Sequence, residues 1–593
     1  MALSGLYSPH VRDALKKPAA FGADMLLVVL FLAIFGAILM VGQRMAAPFT
    51  QTTTIDLSIR ALPKYTLLSL GRGFAAYFLS LAFTLIYGTI AAHNRRAEAV
   101  MIPVLDVLQA IPVLGFMPGV VLALVALSPN HQLGLEAACI VMIFTGQVWN
   151  MTFSFHGSLK AIPQTLREVA AIHRLSRWRF FSQLELPASM IGLIWNSMMS
   201  MAGGWFFLSV TEAFTLKGHD YRLPGIGSYM NEAILQGDVP AMVAAVIAMV
   251  LMIVFVDQVV WRPLVAWSQR FKVEDLAATT EPKSWVLSLI RRSAPLRNFL
   301  SALDASRHSL LMTGFSSAAA RQMSFSSADR RPTGAILRAG LRFVLLGGLA
   351  AVVVWGGWSL LRLLGELPLI DSSGHGDWRS VFEALGASFL RTTSAVLLGA
   401  AWTLPAGILI GLSPRWSARL QPIIQVLASF PAPMLFPIVT FLLVSLHVDF
   451  NVGCTALMLL GTQWYILFNV IAGASSTPAD LQEVASIYRW TTFQKWTRLY
   501  IPCVFPYLVT GLITAAGGAW NATIVAEYVV MKDQTHEAFG LGSIINHASA
   551  DGNFPLLAAS VVTMAVAVVL LNRSFWRQLY RLAEQRFSLT GGS

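Results

Sequence analysis

The chain has 593 residues, 56% of them hydrophobic and only 12% charged, with a mean hydropathy of +0.63. Soluble globular proteins carry about 25% charged residues, so a soluble, disordered or fibrous protein is excluded and an integral membrane protein remains. The net charge of +12 reads as the Lys/Arg excess of cytoplasmic loops rather than as a nucleic-acid footprint, and three cysteines are too few for a disulfide framework.

Arg12, Lys16 and Lys17 precede the apolar run Met25–Val41. That run is longer than a secretory h-region and no clear cleavage site follows it, so it predicts an uncleaved first span. Further spans are predicted over Thr66–Ala92, Met101–Leu127, Leu135–Phe155, Ala188–Phe214 and Pro240–Trp261. A polar stretch from Arg262 to Thr333, rich in Ser, Ala and Arg, reads as a tether with one amphipathic segment around Ser284–Leu300. Six more spans follow near Leu341–Leu364, Ala387–Leu412, Gln421–Leu446, Val452–Ala472, Cys503–Val530 and Pro555–Leu571. The expectation is an all-α polytopic membrane protein of about twelve spans: a first repeat over 1–262, a linker over 263–337 and a second repeat over 338–593. Arg95 and Arg96, Arg174 to Arg179, Arg415 and Arg419, Arg489 to Arg498, and the tail arginines all fall on one side if both termini are cytoplasmic.

The second half repeats the first. A constant offset of 315 residues maps Trp149 to Trp464, Pro163 to Pro478, Glu168 to Glu483, Pro187 to Pro502, Glu212 to Glu527 and Gly225-Ile-Gly227 to Gly540-Leu-Gly542. Upstream the offset is 319, mapping Ser69 to Ser388, Arg72 to Arg391 and Pro112 to Pro431. Both halves point the same way in the membrane, so the repeat is parallel, with an expected pseudo-twofold axis along the membrane normal.

Between spans four and five, and again between ten and eleven, the pattern predicts a short amphipathic helix, over about 163–175 and 478–490. Leu166, Val169, Ala170 and His173 share one face with Glu168 opposite; Leu481, Val484, Ala485 and Tyr488 repeat this with Glu483 opposite. The stripe needs a cover, either a soluble partner or the lipid headgroups; His173, lacking a second-half counterpart, reads as a packing residue. Within the spans, the uncharged Gln109, Gln147, Asn150, Asn196, Gln463 and Asn521 are candidates to line a translocation pathway or to serve helix packing. Glu212 and Glu527, with Arg72 and Arg391, fall near the outer span ends, where snorkelling or helix capping is expected.

Glu168-Val-Ala and Glu483-Val-Ala, each with a Pro nineteen residues after the Glu, resemble the EAA signature of permease subunits in binding-protein-dependent ABC importers. Leu68-Ser-Leu-Gly-Arg72, Gln109-Ala-Ile-Pro112 and the Gly225 and Gly540 turns are similar to that family's nitrate/sulfonate/bicarbonate branch. The whole chain resembles a duplicated, fused permease of the type I importer fold. The resemblance implies that each EAA segment is a coupling helix, with Glu168 and Ala170, and Glu483 and Ala485, meeting an ATP-binding subunit; Arg174 and Arg489 are expected to add charge contacts to the same subunit. It also implies two copies of that subunit, which would carry ATP and Mg, an extracytoplasmic solute-binding protein, and a bacterial inner membrane location. One departure is Arg174 and Arg489, where the family usually has Gly. A left-handed Arg costs roughly 1–2 kcal/mol, so a differently built turn is expected.

No phosphate loop of the G-x-x-x-x-G-K-[ST] type occurs, and no HExxH, Cys-x-x-Cys or His cluster. An enzyme with its own cofactor or metal is not expected. Two functions stay open on the residues alone. The first is the permease of an ATP-driven importer for a small polar solute, an anion such as nitrate, a sulfonate or bicarbonate. The second is an ion-gradient-driven secondary transporter with six plus six spans.

Overall fold

The structure, a computed structural model, describes residues 54–127, 132–216, 219–271, 353–369, 376–531 and 534–587, with isolated positions elsewhere. The predicted span Met25–Val41, the beginning of Leu341–Leu364 and the linker beyond Phe271 lie outside the described residues.

Long apolar runs leave a backbone in lipid one local solution, the helix. The helices of the first repeat are α1 (Leu62–His93), α2 (Arg95–Ala110), α3 (Met117–Leu127), α4 (Leu133–Lys160), the short α5 (Gln164–Ile172), α6 (Arg177–Thr211), α7 (Ile226–Gln236) and α8 (Val239–Ser268). The second repeat has α9 (Trp378–Leu412), α10 (Pro414–Ser429), α11 (Phe436–Ser445), α12 (Phe450–Ser475), the short α13 (Ala479–Ile487), α14 (Thr492–Ala526), α15 (Leu541–Asp551) and α16 (Phe554–Phe587). Among the described residues eight helices are long and apolar enough to cross a membrane, and ten if each bent pair counts as one span.

Two predicted spans are broken rather than straight. The chain bends by 85° between α2 and α3 and by 81° between α10 and α11. The cause is local: Pro112 and Pro431 hold extended backbone (ψ 117° and 109°), and a short 3-10 turn restarts the helix after each. Two further differences concern span ends. Phe214 and Val530, expected inside spans, lie in β1 (Ala213–Leu216) and β3 (Tyr528–Met531). Each pairs antiparallel with a following strand, β2 (His219–Arg222) and β4 (Gln534–Glu537), in the same register, Ala213 opposite Arg222 and Tyr528 opposite Glu537. α8 runs past Arg262 to Ser268.

The described residues within Met1–Lys160, Asn196–Ile253 and Trp355–Ser593 form one compact unit, and those within Ala161–Trp195 and Val254–Val354 a second. In the first unit small residues let helices touch. A Cβ at Gly88 would lie 2.6 Å from the Phe155 ring, and one at the equivalent Gly407 2.6 Å from Val470. Apolar side chains meanwhile face outward in stripes, such as Val243, Ile247 and Leu251 on α8 and Leu390, Leu397 and Leu409 on α9. Tight small-residue contacts inside and large apolar groups outside are the arrangement of a helix bundle whose solvent is lipid. Cys139, Cys454 and Cys503 are free and buried, as small apolar residues are.

Candidate functional site

The sequence dictates each of the short helices α5 and α13 from both sides. Pro163 and Pro478, with φ near −55° and −58°, start them. Each ends in a Schellman turn: Arg174 N–H donates to Ala171 O and Leu175 N–H to Ala170 O, while Arg489 N–H donates to Ser486 O and Trp490 N–H to Ala485 O. Arg174 and Arg489 are left-handed, with φ of 48° and 49°. The expectation of a differently built turn is therefore wrong. Two backbone bonds per turn, each worth about 0.5–1.5 kcal/mol net, offset the strain of a left-handed Arg. Ser176 and Thr491 then cap the next helix, Ser176 Oγ accepting from Arg179 N–H and Thr491 Oγ1 from Gln494 N–H.

The short helices bury one residue each, Ala170 and Ala485. Ala485 packs in a small cluster with Leu499, Cys503 and Trp490. Most of the predicted stripe stays open: Val169, Leu481, Val484 and Tyr488 are exposed and Leu166 is half-buried, while Ile172 and Ile487, one turn after the glutamates on their side, are each 77% exposed. Glu168, Glu483, Arg174 and Arg489 are exposed too, and so is His173, which caps α5 instead of packing. An open groove of about 490 Å³ lies along α13, lined by Ala479, Gln482, Glu483, Ser486 and Ile487. Each short helix therefore presents an exposed apolar face with an acid and an arginine at its margins.

At the hairpin end of the spans, Glu212 and Glu527 neither snorkel nor cap an exposed helix; both are fully buried. Glu212 Oε1 accepts from Arg72 Nη1 at 2.7 Å and Ser69 Oγ at 2.6 Å, and its Oε2 from Gly227 N–H at 2.7 Å. Glu527 repeats this with Arg391 Nη1 at 3.0 Å, Ser388 Oγ at 2.8 Å and Gly542 N–H at 2.8 Å. The two glycine turns follow from the carboxylates: a Cβ at Gly225 or Gly540 would lie 2.3 Å from a carboxylate atom. Each glutamate thus ties α1 or α9 to the turn leading into α7 or α15. The third partner differs. Arg72 also holds Glu136 through Nε and Nη2 at 2.6 and 2.7 Å, whereas Arg391 donates to Asn451 Oδ1 and O at 2.9 Å. Sequence reasoning paired Arg72 with Arg391 but missed Glu136 and Asn451, because these equivalent positions differ in type. Their position at the start of α4 and α12 was the available signal.

The six polar span residues divide. Gln147 is buried between α4 and α6, its Nε2 3.5 Å from Met201 Sδ; Asn196 Nδ2 donates to Ser154 Oγ at 2.8 Å. Gln463 Oε1 accepts from Trp402 Nε1 at 3.0 Å, between α12 and α9. Asn521 Oδ1 accepts from Val113 N–H at 2.8 Å, across the two repeats. Gln109 is exposed in the last turn before the α2–α3 break, and Asn150 is half-buried on α4. Each of the six has its own surroundings, and four of them join helices. No group of three or more His, Cys, Asp or Glu suited to a metal occurs among the described residues.

Comparison with known proteins adds a family. The family described as binding-protein-dependent transport system inner membrane component matches twice, over residues 84–260 and 403–588, together more than half of the chain. The chain is similar to the nitrate import permease protein NrtB of Leptolyngbya laminosa, 26% identical over 34% of this chain and 68% of that protein. It is similar to the bicarbonate transport system permease protein CmpB of Synechococcus elongatus, 26% identical over 40% of this chain and 86% of that protein. It also resembles the putative aliphatic sulfonates transport permease protein SsuC of Bacillus subtilis, 29% identical over 34% and 69%. Each of these relatives aligns over a stretch about as long as one repeat.

Proposed function

Since the chain belongs to the family of binding-protein-dependent transport system inner membrane components, as a fused and duplicated permease, we propose that it moves a small inorganic or sulfonate-type anion into the cytoplasm by alternating access. It is a transporter subunit of an ATP-driven importer and not an enzyme. The observation that carries the reading is the doubled match, each copy of which contains one nine-residue helix with an exposed apolar face. An ion-gradient transporter has no use for two such helices.

In this reading α5 and α13 face the cytoplasm, and each docks into one of two ATP-binding subunits. Glu168 and Glu483 make polar contacts at the margin of each docked helix, Ala170 and Ala485 let it lie flat, and Arg174 and Arg489 pair with acidic groups of the subunit. The ATP and Mg reside on those subunits. The hairpins and α7 and α15 face outside, towards a solute-binding protein, and both termini are cytoplasmic. Closure of the two ATP-binding subunits on ATP draws α5 and α13 together, and the repeats part on the outer side. Gln109 and Asn150, the polar span residues left open to a path, meet the solute; Gln147, Asn196 and Gln463 support the helices around it. The relatives' anions are small and oxygen-rich, which suits uncharged amide donors.

The test is stoichiometry. The chain is co-expressed with the ATP-binding protein encoded beside it, purified through a tag on the chain, and the complex is weighed. Two ATP-binding copies per chain are expected, lost in Glu168→Arg with Glu483→Arg. A monodisperse chain that carries no such subunit and transports on an ion gradient overturns the reading.

A further inference from the structure

We infer that Asn521 is a one-sided polar latch between the two repeats, holding the backbone amide that the α2–α3 break sets free and releasing it when the repeats part. The inference rests on the permease reading only for the parting motion.

The break itself creates the need. Ile111 and Pro112 are extended, so the Val113 amide, the first of the 3-10 turn, falls outside the hydrogen-bond ladder of α2. Val113 is buried, and an unpaired buried amide is strongly disfavoured. Asn521, on α14 of the other repeat, accepts this N–H at 2.8 Å while its Nδ2 donates to Gly517 O at 3.1 Å. The side-chain amide is thereby used at both ends, one towards its own helix and one towards the opposite repeat. The contact continues around it: an ideal Cβ on Gly115 lies 3.5 Å from Val561 and 3.8 Å from Ile524.

The repeat supplies the control. The position equivalent to Asn521 is Phe206, and the equivalent break restarts at Ala432. Phe206 packs against the cluster that holds Ala432 and Phe436. Each break is therefore met by the same helix of the opposite repeat, once through an aromatic ring and once through a hydrogen bond. Helix packing at this place does not require Asn, since Phe serves the equivalent contact. A hydrogen bond to one amide is either made or broken, which makes Asn521 the side of the pair whose loss most directly biases the parted state.

The test reads how often this contact opens. Gly115 is buried here, and its Cβ position has ordinary contact distances, so Gly115→Cys is accommodated. A water-soluble maleimide labels that thiol only when the repeats part; the parent chain, with Cys139, Cys454 and Cys503 buried, sets the background. In the full chain reconstituted in lipid nanodiscs, adding Asn521→Leu, which cannot accept, raises the labelling rate roughly fivefold, the population equivalent of one net amide hydrogen bond. Asn521→Asp keeps the acceptor for Val113 N–H but gives up the donor to Gly517 O, so its rate lies between those of the Gly115→Cys chain and Asn521→Leu. An unchanged rate in Asn521→Leu overturns the latch, and so does an equal rise in Asn521→Asp. Labelling needs no ATP. A chain that binds no ATP-binding subunit thus defeats the permease reading while the latch is still read out.

Discussion

The two buried glutamates make a prediction that the repeat alone would not. Glu212→Gln and Glu527→Gln remove the same charge at equivalent positions, yet what remains differs. Without the Glu212 charge, Arg72 keeps Glu136, bound through two nitrogens at 2.6 and 2.7 Å. Without the Glu527 charge, Arg391, 8% exposed, keeps only neutral acceptors: Asn451, the carbonyl of Phe539 and the introduced amide oxygen. The first change loses one charge-assisted bond, about 1.5–3 kcal/mol. The second strands a buried cation, for which about 3–5 kcal/mol is typical. The expected order of stability is parent, then Glu212→Gln, then Glu527→Gln, with roughly 1.5–2 kcal/mol between the variants. The assay is the fraction of monodisperse chain surviving a temperature series in one detergent, read by size exclusion. Asn451→Glu placed in Glu527→Gln rebuilds for Arg391 the carboxylate that Arg72 already has, and should recover most of the loss. Equal midpoints for the two variants, or no recovery with Asn451→Glu, would refute the reasoning.

The glycine turns and the left-handed arginines give two more tests. Gly225→Ala and Gly540→Ala each push a methyl to 2.3 Å from a carboxylate atom, so both should lower the same thermal midpoint sharply, while Gly157→Ala, with open space around it, should not. Replacing Arg174 and Arg489 by Gly removes left-handed strain of roughly 1–2 kcal/mol per site, whereas Ala keeps that strain. Gly should therefore be at least as stable as the parent and Ala no better. Both double variants lose the arginine charges, so both should weaken assembly with the ATP-binding subunit, most visibly at low salt. Assembly unchanged at every salt concentration would remove the two arginines from the interface.

Much of the architecture could be read from the sequence because lipid leaves few choices. Runs such as Pro240–Trp261 specify helices by composition alone, and the offset between Glu168 and Glu483 marks the short helices from sequence. What escaped was set by single residues or by partners far away in sequence. Pro112 and Pro431 were seen as prolines within spans, but a bend of more than 80° depends on the residue before each proline also leaving the helix. The hairpins escaped because Ala213, Phe214, Val529 and Val530 are as apolar as the spans they follow, so hydropathy does not mark where helix gives way to strand. Arg174 shows the reverse error: residue type argued against a left-handed turn, and the carbonyls of Ala170 and Ala171 secured it.

The two repeats keep their backbone geometry closely while their side chains diverge, and the fusion gives this a consequence. In a permease built from two identical chains, a substitution at the position of Asn521 appears twice, and both breaks would acquire a latch. In a single chain it appears once. Glu136 against Asn451 and Phe206 against Asn521 are such single changes, each at a place where one repeat carries a polar or charged group and the other a neutral or apolar one. The backbone pins that must match do match: both carboxylates, both glycine turns, both left-handed arginines. The side chains free to differ sit between helices or at the contact between repeats. Making the two contacts alike, with Phe206→Asn or with Asn521→Phe, should therefore alter which state the repeats prefer before it alters the fold.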